Sequence, residues 1–182
     1  VQINPEINST AEAAATVMLI ENTEFSDNTA VSRGGGLFLG SGSVLINHCT
    51  VSGNTGGLAG QGIFVQASAS PTIANSIVWG NIGSADHDQL FEEPGSYATV
   101  THCGLELIGT LADYEMAPNH ITGTNSDLDP KFVSAPTNLH LDGTVSFYLG
   151  SEYTNFAPIG LVDLEGISRG AVASRIGAYQ NN

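Results

Sequence analysis

The residues in this chain best suited to chemistry are acidic. Asp86-His87-Asp88, followed at a short interval by Glu92-Glu93, is the densest cluster of potential ligands. Asp86, Asp88 and Glu92 would supply hard oxygen donors, which suit Ca²⁺ rather than Zn²⁺, so these three are the candidate metal ligands. Asp127-x-Asp129 and Asp163-x-Glu165 each set two carboxylates on one side of an extended segment, because side chains alternate across a strand. Aspartates also cap turns, and a solvated loop plus turn-capping acids is the plainer account of all three groups. The pattern requires no cofactor, and Ca²⁺ is the ion it suits. Trp79, the single tryptophan, directly follows the apolar Val78, so strand alternation turns its ring outward. An outward indole can stack on a sugar ring, which makes Trp79 the candidate carbohydrate contact.

These groups must be positioned by a repeat. Glu21-Asn-Thr-Glu-Phe25-Ser-Asp-Asn28, Asn47-His-Cys-Thr-Val51-Ser-Gly-Asn54 and Ala74-Asn-Ser-Ile-Val78-Trp-Gly-Asn81 align at offsets of 26 (25 to 51) and 27 (51 to 78). A second landmark follows nine residues after each asparagine: Gly34-Gly35-Gly36-Leu37-Phe38, Gly60-Gln61-Gly62-Ile63-Phe64, then Asp88-Gln89-Leu90-Phe91. Short runs such as Val44-Leu45-Ile46, Ile63-Phe64-Val65 and Ser76-Ile77-Val78-Trp79 are punctuated by Gly, Asn, Ser and Asp, which is strand and turn chemistry. A short strand-turn unit cannot bury its own apolar face, so successive units must stack.

The sequence therefore predicts an all-β fold, a right-handed parallel β-helix with a less regular C-terminal capping segment. Its coils are expected at about 17–42, 43–69, 70–96 and from 97 onward. Phe25, Val51, Val78 and Leu105 should form one interior ladder, and Leu37, Ile63 and Leu90 another. Asn28, Asn54 and Asn81 should form a corner ladder, taking the left-handed conformation there and passing amide hydrogen bonds between coils. An antiparallel sandwich would instead call for hairpin turns every 8–12 residues or so and does not explain a shared register. Cys49 and Cys103 fall at equivalent positions two coils apart, roughly 9.6 Å at the usual strand spacing. A disulfide needs Cα atoms within about 7 Å, so both cysteines should be free and buried. Residues 1–105 are read as the coils with an N-terminal lead-in. Residues 106–182 are read as an irregular segment and cap of the same domain. The register is expected to be lost from about 106, with a long loop from Met116 to Asn125, and the last ~55 residues should close the end of the solenoid.

Composition narrows the partners. The 182 residues include four basic against 18 acidic, a formal net charge of −14. Each phosphate contact needs a Lys or Arg, so nucleic acid is excluded, and an anionic membrane surface is excluded by the same balance. No apolar run approaches the ~18–20 residues of a spanning helix; the longest runs from Ala13 to Ile20, and no membrane insertion is expected. A hydrophobic fraction of 41% supports a packed core. The chain opens on Val1 without a methionine, and it reads as a processed or excised piece of something longer.

Parallel β-helices host polysaccharide lyases and glycosidases, so catalysis has to be weighed. Such chemistry needs a base beside a cation, or two carboxylates facing one groove. The bases are Arg33, Lys131, Arg169 and Arg175. Positions in register around Arg33 read Arg33, Ala59 and Asp86, which is no carboxylate cluster. Arg169 and Arg175 are expected to pair with Asp163 or Glu165. His48 and His102 lie two coils apart, too far to share a metal, and read as ordinary hydrogen-bonded residues. Gly34-Gly35-Gly36 leads into a strand and offers no helix N-terminus for phosphate. No catalytic residue is assigned, and the chain is not read as an enzyme.

Two resemblances add to this. Phe25-Ser-Asp-Asn28 followed by Gly35-Gly36-Leu37 resembles the paired FxxN and GGxI repeats of polymorphic outer membrane proteins, which are adhesin-like; later coils keep the asparagine but carry Val for Phe. Asp127-Leu-Asp129-Pro130-Lys-Phe132-Val133, Leu139-His140-Leu141, Asp163-Leu-Glu165-Gly166-Ile-Ser-Arg169 and Ile176-Gly177-Ala178-Tyr179-Gln180 resemble the closing blocks of bacterial choice-of-anchor Q β-helix proteins. That resemblance implies export and attachment to the cell surface, in a family defined by architecture rather than by shared chemistry. The expectation is an extracellular or cell-surface structural or adhesive module without catalysis. The alternatives are a carbohydrate-active or carbohydrate-binding β-helix, and a filament subunit that stacks through open solenoid ends. The partners these readings call for are a surface polysaccharide, a protein, or a second copy joined end to end.

Overall fold

The computed structural model describes residues 2–3, 17–83, 89–106, 120–122, 125–142, 162–167 and 176–179. A lead strand, β1 (Gln2–Ile3), precedes the first coil of β2 (Met18–Glu21), β3 (Glu24–Ser26), β4 (Thr29–Ala30) and β5 (Leu37–Leu39). The second coil holds β6 (Val44–Asn47), β7 (Thr50–Ser52), β8 (Thr55–Gly56) and β9 (Ile63–Val65). The third holds β10 (Thr72–Ala74), β11 (Ile77–Trp79), β12 (Ile82–Gly83) and β13 (Leu90–Glu92). Then come β14 (Thr99–Thr101), β15 (Gly104–Leu105) and β16 (His120–Thr122), and finally a hairpin of β17 (Phe132–Ser134) and β18 (Asn138–Leu141). Among the described residues no helix is long and apolar enough to cross a membrane.

Each of the first three coils gives one strand to each of four parallel sheets, β2-β6-β10-β14-β16, β3-β7-β11-β15, β4-β8-β12 and β1-β5-β9-β13, of which β14, β15 and β16 extend the first two. This is the expected β-solenoid, and its register is the one read from the repeat. Phe25 lies opposite Val51, Val51 opposite Val78, and Val78 opposite Leu105. Leu37, Ile63 and Leu90 align in the same way. A third interior ladder joins Ile20, Ile46, Ile73 and Val100. Val51, Val78, Leu105, Ile46, Ile73 and Val100 are fully buried, and each such burial stabilises by roughly 1.5–3 kcal/mol. Close stacking also depends on missing side chains. A Cβ on Gly35 would sit 2.2 Å from the Gln61 carbonyl oxygen, and one on Gly57 1.8 Å from that of Val31.

The asparagine corner differs from expectation in one respect. The left-handed residues are not Asn28, Asn54 and Asn81 but those just before them: Asp27 (φ 55°), Gly53 (69°) and Gly80 (67°). A second left-handed corner runs through Asn22, His48, Asn75 and His102 (48°, 50°, 51° and 55°). The turn is thus made by the preceding residue, and the asparagine is left to bond along the stack. Asn28 Nδ2 donates to Asn54 Oδ1 at 2.9 Å, and Asn54 Nδ2 to Asn81 Oδ1 at 2.8 Å.

The loop expected from Met116 to Asn125 contains β16. That strand pairs in parallel with β14, setting Thr99 opposite His120, and Ser126 bridges Gly104. The coil shortens to 21 residues (99 to 120) without losing the stack, because stacking constrains strands and leaves loop length free. Cys49 and Cys103 are free and buried. Their backbone N–H groups donate to Ser76 Oγ (3.1 Å) and Asn125 Oδ1 (2.8 Å), the side chains one coil further on.

Asn125 and Ser126 stack on the last coil at residues 103–105, and the segment 176–179 lies along the flank of the solenoid. Gly177 N donates to Asn75 O at 2.7 Å, Ala178 N to Thr50 Oγ1 at 3.0 Å, and the Tyr179 hydroxyl to Glu24 Oε2. One short segment is thereby tied to three successive coils.

Candidate functional site

The outer face of the β5-β9-β13 sheet carries a row of rings. Alternation sends Leu37 and Leu39 inward and Phe38 outward, and the register places Phe64 and Phe91 directly beside it. Phe38 and Phe64 stack at 5.3 Å with an 11° interplanar angle, and Phe64 and Phe91 at 5.4 Å with 13°. The Arg33 guanidinium carbon lies 4.9 Å from the Phe64 ring centroid, while Nη1 reaches Glu93 Oε1 at 2.6 Å. Phe64 is fully buried beneath this lid. Beside the Phe38 end of the row opens a shallow pocket of about 580 Å³, lined by Ala30, Val31, Ser32, Arg33, Gly34, Phe38 and Leu58. Val31 and Leu58 are 95% and 61% exposed on its rim. Chemically it offers an aromatic edge, an apolar rim and the remaining donors of an arginine already paired to a carboxylate. That suits contact with a ligand rather than proton transfer.

Of the candidate Ca²⁺ ligands, Asp86 and Asp88 lie outside the described residues. Glu92 accepts hydrogen bonds from Ala98 N at 3.0 Å and Ser96 Oγ at 3.5 Å, so its carboxylate braces the following turn. The other carboxylate pairs also have local partners. Asp129 is held below the usual carboxylate range by hydrogen bonds from the Lys131 side chain and backbone. Asp163 Oδ1 accepts from Glu165 N (2.9 Å) and Ile167 N (2.7 Å), and Glu165 Oε1 meets His140 Nε2 at 3.1 Å. Among the described residues no three His, Cys, Asp or Glu side chains are grouped to hold a metal ion.

Trp79 follows the inward Val78 on β11, and its half-buried ring packs with Phe132 against Ile77, Leu141 and Ile176. It belongs to the seam between the coils and the C-terminal segments. Arg169 and Arg175 lie outside the described residues. His48 and His102 occupy left-handed corner positions; Thr101 Oγ1 lies 2.7 Å from His102 Nδ1, and burial lowers the His102 pKa below its ordinary value. Sequence reasoning missed the phenylalanine row, although Phe38, Phe64 and Phe91 recur at the offsets already in use. It also missed Gln89, whose side chain closes the asparagine ladder on Asn81.

Comparison with known proteins adds one match. The family model described as a right handed beta helix region matches residues 7–112. No curated protein and no solved structure matched.

Proposed function

Because this chain belongs to the right-handed β-helix family, we propose that it is an extracellular or cell-surface structural module, adhesive in character and without catalysis of its own. The observation that carries this reading is how the polar side chains are used. Asn28, Asn54, Asn81 and Gln89 bond to one another along the stack. Arg33 is held by Glu93, and Glu92 braces a turn. General acid–base or glycosidic chemistry needs carboxylates or a base free to face a groove, whereas these groups hold coil to coil. The resemblance of the closing blocks to choice-of-anchor Q proteins, and of the first coil to adhesin-like FxxN and GGxI repeats, supports the surface reading. So does the formal charge of −14, which favours solubility and disfavours anionic partners.

Incubation with acidic and neutral polysaccharides tests this proposal. Neither unsaturated nor reducing-end products are expected; release of either would replace it with a carbohydrate-active enzyme. A non-catalytic carbohydrate-binding reading is favoured by the pocket at Phe38 and Arg33. On that reading, retention on an immobilised glycan falls in Phe38→Ala, and the glycan contact moves from Trp79 to the phenylalanine row.

A further inference from the structure

The asparagine row has a direction. In each coil the asparagine N–H and Nδ2 donate to the Oδ1 one coil further on: Asn28 to Asn54 at 3.0 and 2.9 Å, and Asn54 to Asn81 at 3.0 and 2.8 Å. The donor end is closed, because Asn81 spends both groups on Gln89 Oε1. The acceptor end is open: Asn28 bonds through N and Nδ2, and its Oδ1 accepts from no described residue.

The backbone repeats this asymmetry. Thr99 N, Ile77 N and Ile82 N reach back one coil to Pro71 O (2.9 Å), Cys49 O (2.9 Å) and Asn54 O (2.8 Å). Their first-coil equivalents are Leu19, Glu24 and Thr29. These lie on β2, β3 and β4, each an edge strand of its sheet among the described residues; in the fourth sheet β1 already pairs onto β5. An unpaired edge is a template for a further strand. The apolar ladders end here too. Met18 is 39% exposed where Val44, its neighbour one coil on, is 2%, and Ile20 and Phe25 are partly buried beside fully buried Ile46 and Val51.

We propose that this end docks one further β-helix coil carried by a partner protein: three short parallel strands over β2, β3 and β4, with a corner side-chain amide donating to Asn28 Oδ1. Each part of that coil meets an unfilled position, and the fold makes the same contacts between its own coils. A second copy fits less well. Its last coil has given the Asn81 donors to Gln89 and carries Asn125 and Ser126 over residues 103–105. Head to head, two first coils would set Glu21, Glu24 and Asp27 against the same acids, and like charges across an interface repel. The docked coil is therefore neutral or basic.

The second coil supplies the probe, a peptide of residues 43–56, which holds no Asp, Glu, Lys or Arg. It is added to the whole protein under reducing conditions, and amide hydrogen exchange is followed by NMR. At about ten times its dissociation constant the peptide should slow the Leu19, Glu24 and Thr29 amides about tenfold and leave those of β13 unchanged. A peptide with Asn54→Leu should bind about fivefold more weakly, having lost a corner hydrogen bond, and Asn28→Leu in the protein should weaken the parent peptide equally. If Asn28→Leu fails to fold, the peptide variant carries the test alone. Unchanged exchange at the three amides overturns the proposal, and so does a leucine peptide that binds as tightly as the parent. Protection of these amides in the protein alone also overturns it: protection that rises with concentration assigns the end to a second copy, and protection at every concentration assigns it to the chain itself.

Discussion

Gln89 does for Asn81 what Asn81 does for Asn54. Its Oε1 accepts from Asn81 N at 3.0 Å and Asn81 Nδ2 at 2.6 Å, matching the two bonds Asn81 Oδ1 accepts from Asn54 at 3.0 and 2.8 Å. Gln89 Nε2 also returns a bond to the Asn81 carbonyl at 2.9 Å. Gln89 follows Asn81 by only eight residues, and the position one repeat beyond Asn81 is Ile108. The longer glutamine side chain reaches back to end the row within its own coil.

Replacing that amide should therefore destabilise the fold. Gln89→Leu orphans the buried Asn81 backbone N–H and takes one acceptor from Asn81 Nδ2, which keeps Val51 O; this costs about 1–3 kcal/mol. Denaturant unfolding should show a lower midpoint at an unchanged slope. A variant as stable as the parent would mean that the row does not need closing.

Position along the row should set the size of the effect. Asn54 is fully buried; its Nδ2 bonds Asn81 Oδ1, Phe25 O and Ser52 O, and its Oδ1 accepts from Asn28. Asn28, in the first coil, is only partly buried. Asn54→Leu should cost about 2–4 kcal/mol and Asn28→Leu about 1 kcal/mol, since an orphaned buried group costs more than one that water can reach. Equal losses at the two sites would contradict a stacked amide row.

The cysteines predict a response to alkali. Desolvation pushes the Cys103 thiol up from 9.0 to about 12. The folded state therefore holds its proton more tightly than the unfolded chain. The resulting stability is complete below pH 9 and is lost as the pH rises from about 9 to 12. Unfolding followed against pH should show this loss in the unaltered protein and a smaller one in Cys103→Ala. At neutral pH, iodoacetamide should label neither cysteine until the protein is unfolded. Fast labelling of the folded protein would place these thiols at the surface.

The interior ladders were legible because one offset decides many contacts at once. Phe25, Val51 and Val78 announce their stacking by recurring, and Cys49 and Cys103 inherit their separation from the same register. The phenylalanine row was equally periodic but was read only as a marker of the adjacent Leu and Ile. Contacts that break the period were not legible. Gln89 acts out of register, and β16 follows a coil shortened to 21 residues (99 to 120). Ala178 meets Thr50 across 128 positions, and no local pattern encodes such a pairing. Alternation sets Trp79 opposite to Val78, but the residues that pack on it, Phe132, Leu141 and Ile176, come from the far end of the chain. Glu92 stands out in the sequence because acidic residues crowd around it, and its bonds to Ser96 and Ala98 follow from a turn that composition does not reveal.

The account rests on polar side chains serving as rungs between coils rather than as reagents. Nuclear Overhauser contacts among the side-chain amides of Asn28, Asn54, Asn81 and Gln89 test this most directly. The structure predicts an unbroken chain of contacts in that order, with slowly exchanging Asn54 and Asn81 amide protons. Fast-exchanging amides without mutual contacts would leave those groups free for ligands or catalysis, and would contradict the account.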